Sequence, residues 1–468
     1  MDKDTFRRHG HEFIDWLAEY FDQVESYPVK STVSPGDILQ RLPGSAPEKG
    51  ESMDAIFSDF KEVIMPGISH WQHPGWFAYF PANNSPASVL AELLTAGLGS
   101  QCMIWQTSPA AAELEERMME WLRELTGLPA HMTGVIQDTA STATLCALLS
   151  AREKVTNYAV NDRGFEGRMA IYASAETHSS IEKGVKIAGF GKKYLRVIDT
   201  LEDMSMCPDA LENCVKSDLE NGIRPTCVVA TLGTTSSMAM DPVDVIAKIC
   251  RKYDVWLHVD AAFAGTAAVC PEHRWFMRGV EEADSYVFNP HKWMLTNFDC
   301  SAYYVKDKDV LLRTLSITPE YLKTKADNQV KNYRDWGIQL GRRFRALKLW
   351  FVLRSYGAEG IREMVNNHIR LARQFADQVE SSEQFELLTP VKLSLVCFRY
   401  NPGGLGEADL TKLNQSLLEK INGSGEVYLT HTVLKGRYAI RLSVGQRTTG
   451  LRHVDRVWEL MQESVSGL

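Results

Sequence analysis

The sequence predicts an α/β protein built on a largely parallel sheet, with a smaller α+β region following it. Three observations predict it. Between about residues 86 and 304, short apolar, β-branched runs at 169–172, 227–230, 255–259 and 285–288 alternate with helical stretches. The runs are almost continuously apolar, as strands covered on both faces are, whereas a strand with one wet face alternates. Strand and helix taking turns is the pattern of parallel βαβ units. Beyond residue 360 the order changes to a helix, runs at 393–400 and 438–444, and a closing helix.

The 468 residues exceed the size at which one core usually stops growing. Three parts are expected: an N-terminal helical segment (1–85), a large domain (86–360) and a small C-terminal domain (361–468). In the first, Phe6, Phe13, Ile14, Leu17 and Phe21 recur at helical spacing among charged residues. A Pro/Gly/Ser-rich stretch (27–50) reads as extended, and a second helix is expected over 52–65. So small and apolar a segment needs a surface to cover, such as a partner subunit. Within the large domain, helices are expected over 145–154 and 242–253. Residues 320–341 are polar and read as a long loop, which in a compact domain often serves function. A helix is expected over 342–356.

Composition narrows the function. A net charge of -8 argues against nucleic acid as a partner. No apolar run reaches the roughly 18 residues of a membrane span. Residues 1–10 are charged and lack a signal-peptide core, so a cytoplasmic location is the default expectation. The nine cysteines contain no C-x-x-C pair and read as free thiols rather than as a disulfide or zinc framework. His70 and His73 form an H-x-x-H pair without an evident third ligand, so no metal site is expected.

Ligands of open α/β sheets bind beyond the carboxyl ends of the strands. Three such ends converge. Asp260 leaves the run 255–259, and a carboxylate there caps a turn or faces a cationic ligand. Lys292 follows the run 285–288 and an Asn-Pro turn; a lysine there is partly desolvated, which lowers its pKa and makes it a Schiff-base nucleophile. Thr139, Ala140 and Ser141 stand at the start of a helix, where backbone N–H groups and the helix dipole favour phosphate. Each feature alone has an ordinary structural reading. Together, a phosphate site, an imine-forming lysine and a carboxylate fit pyridoxal phosphate, whose pyridine nitrogen the carboxylate keeps protonated so that the ring accepts electrons.

Asn289-Pro-His-Lys292-Trp, His258-Val-Asp260-Ala-Ala, Thr231-Leu-Gly-Thr-Thr235 and Gly341-Arg-Arg-Phe-Arg345 together resemble the group II pyridoxal-phosphate decarboxylases. Pro66-Gly-Ile-Ser-His70-Trp71 and Trp76-Phe-Ala-Tyr79-Phe80-Pro81 are similar to the aromatic-L-amino-acid decarboxylases within that group. The resemblance covers nearly the whole chain. It implies the fold type I architecture, with a mostly parallel seven-stranded sheet, and a homodimer with its active site at the subunit interface. It implies that Lys292 holds the cofactor, Asp260 pairs with the pyridine nitrogen and His178 stacks on the ring. Thr139, Ala140, Ser141, Asn289 and His291 would surround the phosphate, and Thr235 and Ala262 would line the pocket. Trp71, Tyr79, Phe80, Pro81 and Ala82 would shape the substrate pocket, with Met103 from the other subunit. Tyr333, on a mobile loop, would return a proton to Cα after CO2 leaves.

Aldehyde synthases of this fold let oxygen intercept the reaction; plant versions tend to replace the loop tyrosine with phenylalanine, and some insect versions the stacking histidine with asparagine. Tyr333 and His178 therefore favour the amine as product. Oxidative decarboxylation to the aldehyde, decarboxylation of another amino acid such as histidine or glutamate, and a non-catalytic homologue that binds partners through its dimer surface are the alternatives. Three positions depart from animal relatives: Asp138 stands where glycine is frequent, Ala82 where a pocket threonine is, and Phe263 where tyrosine is common. Arg342, Arg343 and Arg345 form a basic cluster expected to make ion pairs on a helix surface.

Overall fold

The computed structural model describes residues 1–317 and 329–466. Seven strands form the main sheet: β1 (Thr133–Gln137), β2 (Met169–Ser174), β3 (Leu195–Ile198), β4 (Arg224–Thr231), β5 (Trp256–Asp260), β6 (Ser285–Phe288) and β7 (Ser301–Val305). Their order is β1-β7-β6-β5-β4-β2-β3. Neighbours from β6 through β3 pair in parallel, while β7 pairs antiparallel with both β6 and β1, so β7 alone runs against the rest. The four strands read from sequence are all present, and every residue of β2, β5 and β6 is buried. Three strands escaped that reading. β3 is a partly exposed edge strand with a mixed sequence. β1 carries Gly134, where a Cβ would lie 2.4 Å from Met119 Cε and 2.6 Å from the Tyr304 ring; close approach, not β propensity, selects that residue. β7 is buried throughout but also went unread.

The second sheet is antiparallel, with β8 (Phe385–Leu387), β9 (Leu395–Tyr400), β10 (Thr430–Leu434) and β11 (Arg437–Ser443) in the order β10-β11-β9-β8. One long helix, Arg345–Glu380, joins the two regions. Its Leu349, Leu353, Ile361 and Val365 pack in the core of the large sheet, and Leu371, Phe375 and Val379 in the core of the small one. It breaks at Gly357, whose φ of 64° and ψ of 176° leave the helical region.

The first helix, Lys3–Gln23, is capped by Asp2, whose carboxylate accepts from the Asp4 and Thr5 amides. Phe13 packs on Phe57 of the second helix at 4.6 Å between ring centroids. That second element is not one helix to residue 65. It runs α-helical over Met53–Asp59, then widens to a π turn (Phe60–Ile64) and tightens to a 3₁₀ turn (Met65–Gly67). Pro66 has no N–H with which to continue the ladder. The helix Pro86–Leu98 leaves Leu90, Leu93, Leu94 and Leu98 exposed on its outer face.

The basic cluster differs from its expectation. Arg342, Arg343 and Arg345 precede or open the long helix, and Arg342 is buried, 2.5 Å from Glu115. Arg343 pairs with Glu92, and Arg345 with Asp299 at 2.8 Å. Of the expected loop 320–341, residues 320–328 lie outside the described residues. The remainder contains a 3₁₀ turn at Tyr333–Asp335.

Candidate active site

Six strands run in one direction and end at one edge of the sheet, and the residues at or just beyond five of those ends face a common cavity of about 230 Å³. It is lined by Thr139, Ala140 and Ser141 after β1, His178 after β2, Thr235 after β4, Asp260 and Ala262 at the end of β5, Asn289, His291 and Lys292 after β6, and Phe80 from the N-terminal segment. These are eleven of the residues that the sequence singled out. Phe80 closes one side, stacked on Phe263 at 4.1 Å with the rings 4° from parallel.

At one end of the cavity the helix Ala140–Val155 begins. Thr139 caps it in an extended conformation and its hydroxyl accepts from the Thr142 amide. No acidic residue lies in the helix's first turn. Asp138, the carboxylate closest in sequence, turns back: its Oδ1 accepts from its neighbour's Thr139 N–H at 2.6 Å and its Oδ2 from Gln339. The Ala140 and Ser141 amides and the Ser141 hydroxyl are thus left for an anion.

Deeper in, Asp260 is buried and its Oδ1 accepts from the Ala262 N–H at 3.0 Å. The Lys292 amine is held below its ordinary pKa by burial, with the Asp260 carboxylate opposing that shift. An amine in this setting is a nucleophile at lower pH than a surface lysine. His178 stands at the cavity mouth. Its Nδ1 is 2.8 Å from the Ser180 hydroxyl, and its pKa is lowered by loss of hydration and then by Lys292. Burial and Lys292 together push His291 down to about 3, and its Nδ1 accepts from the Cys300 N–H. Asn289 Oδ1 accepts from Ser301 at 2.7 Å.

A helix N-terminus, a buried carboxylate and a desolvated lysine lining one cavity form the donor set that pyridoxal phosphate requires. The residues present fit that group.

Six expected residues do not line the cavity. Trp71 and Tyr79 are half exposed, and Trp71 stacks on Tyr79 and on Trp76, with centroids 5.9 and 4.3 Å away. Tyr79 sits at φ 55°, a left-handed conformation costly for a bulky side chain, beside the cavity residue Phe80. Pro81 packs on Gly445, and the Ala82 carbonyl accepts from Gln72. Tyr333 is buried against Trp336 and Val135, with Arg342 5.2 Å from its ring, and its hydroxyl has no hydrogen-bond partner among the described residues. Met103 lies beside it: its carbonyl accepts from the Arg334 N–H at 2.8 Å.

The sequence reading missed Thr231, Gly233, Phe263 and Phe298 as lining residues and Ser180 as the partner of His178. The strand-end rule reaches Thr231, the last residue of β4. His258 also went without a role. Its Nε2 is 3.1 Å from Thr144 and its Nδ1 2.9 Å from Ser285, so it ties the helix after β1 to β6 beneath Asp260. His70 and His73 are satisfied within the fold, by Tyr20 and by the Gly75 N–H.

The profile of the pyridoxal-dependent decarboxylase conserved domain matches residues 35–401. Tyrosine decarboxylase 4 of Petroselinum crispum is 43% identical over 482 residues, covering 100% of this chain and 94% of that protein. Phenylacetaldehyde synthase of Arabidopsis thaliana is also 43% identical, over 478 residues, with 100% and 97% covered. Among solved structures, Oryza sativa TDC with PLP and tryptamine superimposes with a TM-score of 0.97 at 36% identity, covering 100% of this chain and 99% of that one. With its cavity chemistry and its match over residues 35–401 in agreement, this chain belongs to the pyridoxal-dependent decarboxylase family.

Proposed function

We propose that this chain is a carboxy-lyase that converts aromatic L-amino acids to arylalkylamines and CO2, with pyridoxal phosphate bound through Lys292. The observation that carries the proposal is the convergence of Lys292, Asp260, His178 and the Thr139–Ser141 helix start on one cavity, walled by Phe80. The relatives named above act on aromatic substrates, which supports an aromatic ring as the substrate's side chain.

When bound, pyridoxal phosphate supplies an electron sink for the bond to the departing carboxylate. The chain's own groups supply the rest. Lys292 gives the covalent anchor. Asp260 sets the charge at the pyridine end. His178 covers the open face. The amides of Ala140 and Ser141, with Thr139, Asn289 and His291, hold the phosphate, while Thr235 and Ala262 fill the side of the cofactor. Trp71, Tyr79, Phe80, Pro81 and Ala82 form the wall for the substrate ring; Ala82 offers no hydroxyl to a ring oxygen.

Tyr333 is the proton donor in this reading. Its present burial means that it reaches substrate only by movement of its loop, and loop closure would exclude water and oxygen at that step. Met103, bonded to the same loop, is assigned to the neighbouring subunit's pocket. The exposed row Leu90, Leu93, Leu94 and Leu98 and the apolar N-terminal helix support a homodimer. The division at residues 85 and 360 belongs to the same reading, with the long helix as the joint between the large and small domains. No helix among the described residues is long and apolar enough to cross a membrane, and we place the protein in the cytoplasm.

The test is a panel of L-tryptophan, L-tyrosine, L-phenylalanine, L-dopa, L-histidine and L-glutamate, with CO2, amine, aldehyde and peroxide all measured. Amine and CO2 from the aromatic members are expected. Aldehyde and peroxide as main products would move the protein beside the phenylacetaldehyde synthase, and turnover of L-histidine or L-glutamate alone would overturn the aromatic assignment.

A further inference from the structure

Lys292 lies in a single turn, Pro290–Trp293, in which its N–H donates to the Asn289 carbonyl at 2.9 Å and the Met294 N–H to the Pro290 carbonyl at 3.1 Å. The Lys292 carbonyl is held from far away in sequence. Asn83, 1% exposed, donates from Nδ2 to the Lys292 carbonyl at 2.7 Å and to the Gly445 carbonyl at 2.7 Å, and its Oδ1 accepts from the Arg447 N–H at 3.0 Å. One amide side chain therefore joins the N-terminal segment, the lysine turn and the segment that follows the small domain's β11.

The surroundings show a built contact. Two residues on, Ser85 donates to the Leu295 carbonyl at 2.8 Å while capping the helix Pro86–Leu98. The next side chain along the turn is tied down too: Trp293 donates from its indole N–H to His368 Nδ1 at 2.9 Å. Gly445 sits where a Cβ would meet Pro81 Cγ at 2.7 Å, so the turn presses directly on the expected substrate wall. A lysine side chain has four rotatable bonds. Its amine is placed only as well as its main chain is, and site geometry must hold to within about 0.5 Å.

We propose that Asn83 is a positioning residue for Lys292: by holding the Lys292 carbonyl against the Gly445–Arg447 turn, it sets where the lysine amine meets the cofactor. The proposal rests on the reading of Lys292 as the cofactor lysine. Borohydride reduction followed by peptide mapping checks that reading by itself, because a label on another lysine sinks it whatever Asn83 does.

The experiment compares full-length wild type with Asn83→Ala and Asn83→Asp; the second keeps the shape and the acceptor for Arg447 but loses the donor. The control is Asn414→Ala. Asn414 is another fully buried asparagine with three backbone bonds, to Tyr400 N–H, Tyr400 O and Leu410 O, inside the small domain. Three signals are read: hydrogen exchange of residues 290–297 in cofactor-free protein, the pH titration of the bound cofactor's visible absorbance, and kcat apart from KM. Both Asn83 variants are expected to speed exchange over 290–297, shift the absorbance titration and lower kcat by about tenfold or more with a smaller change in KM. Asn414→Ala should lose thermal stability without moving the three signals. Wild-type values of all three in whichever Asn83 variant folds, or equal changes in the Asn414 control, would overturn the proposal.

Discussion

His258 gives the prediction with the most direct arithmetic. It is fully buried two residues before Asp260, between Thr144 and Ser285, and burial pushes its pKa down to about 4. An unfolded histidine titrates at about 6.5. The unfolded chain therefore takes up the proton first. The stability from a neutral His258 is complete well above pH 6.5, declines as the pH falls through the window to 4, and levels off below it. At pH 5 the difference between these two titrations amounts to about 2 kcal/mol from this one ring. The assay is urea unfolding of cofactor-free protein at pH 7 and pH 5, for wild type and His258→Gln. His73 and His368, each also near 4, titrate in the same direction, while Asp241, raised to about 6, opposes them. All three are common to both proteins and cancel in the comparison. The variant is expected to be less stable at pH 7 but to lose about 2 kcal/mol less than wild type on going to pH 5. Equal losses would show that the folded protein protonates the ring as readily as the unfolded chain, and the burial argument would fail.

Lys292→Ala should abolish both turnover and the covalent link to the cofactor; retained turnover would refute the assignment of that lysine. Tyr333→Phe should slow amine formation and divert product toward aldehyde and peroxide, and an unchanged rate with unchanged products would mean that another group donates the proton. Arg342→Ala leaves the Glu115 carboxylate buried with the Ile136 N–H as its remaining donor among the described residues, so a loss of about 3–5 kcal/mol in unfolding free energy is expected. A loss under about 1 kcal/mol would mean that the pair is solvated. Trp293→Phe keeps the ring stacked on Phe263 but removes the donor to His368 Nδ1. A cost of about 1–3 kcal/mol in denaturant unfolding is expected, and no measurable cost would show that a water replaces it.

What was legible in the sequence was what has a local signature. β2, β4, β5 and β6 are buried on both faces, so their apolar runs announced them, and the chemistry-bearing residues followed from where those runs end: Asp260, Lys292 and the Thr139–Ser141 cap meet in one cavity because parallel strands deliver their carboxyl ends to one edge. β1 and β3 were hidden because Gly134 answers to a neighbouring ring and β3 to an exposed edge, and neither demand leaves an apolar run. The tertiary structure alone decided which distant side chains meet. Asn83 reaches Lys292 across 209 positions, and Arg342 becomes a buried partner of Glu115 rather than a surface charge. It also left Tyr333 in a core with Trp336, away from the cavity. Periodicity reports how much water a residue loses on folding. It carries no record of which group replaces that water, and the replacement is set only when elements far apart in the chain pack together.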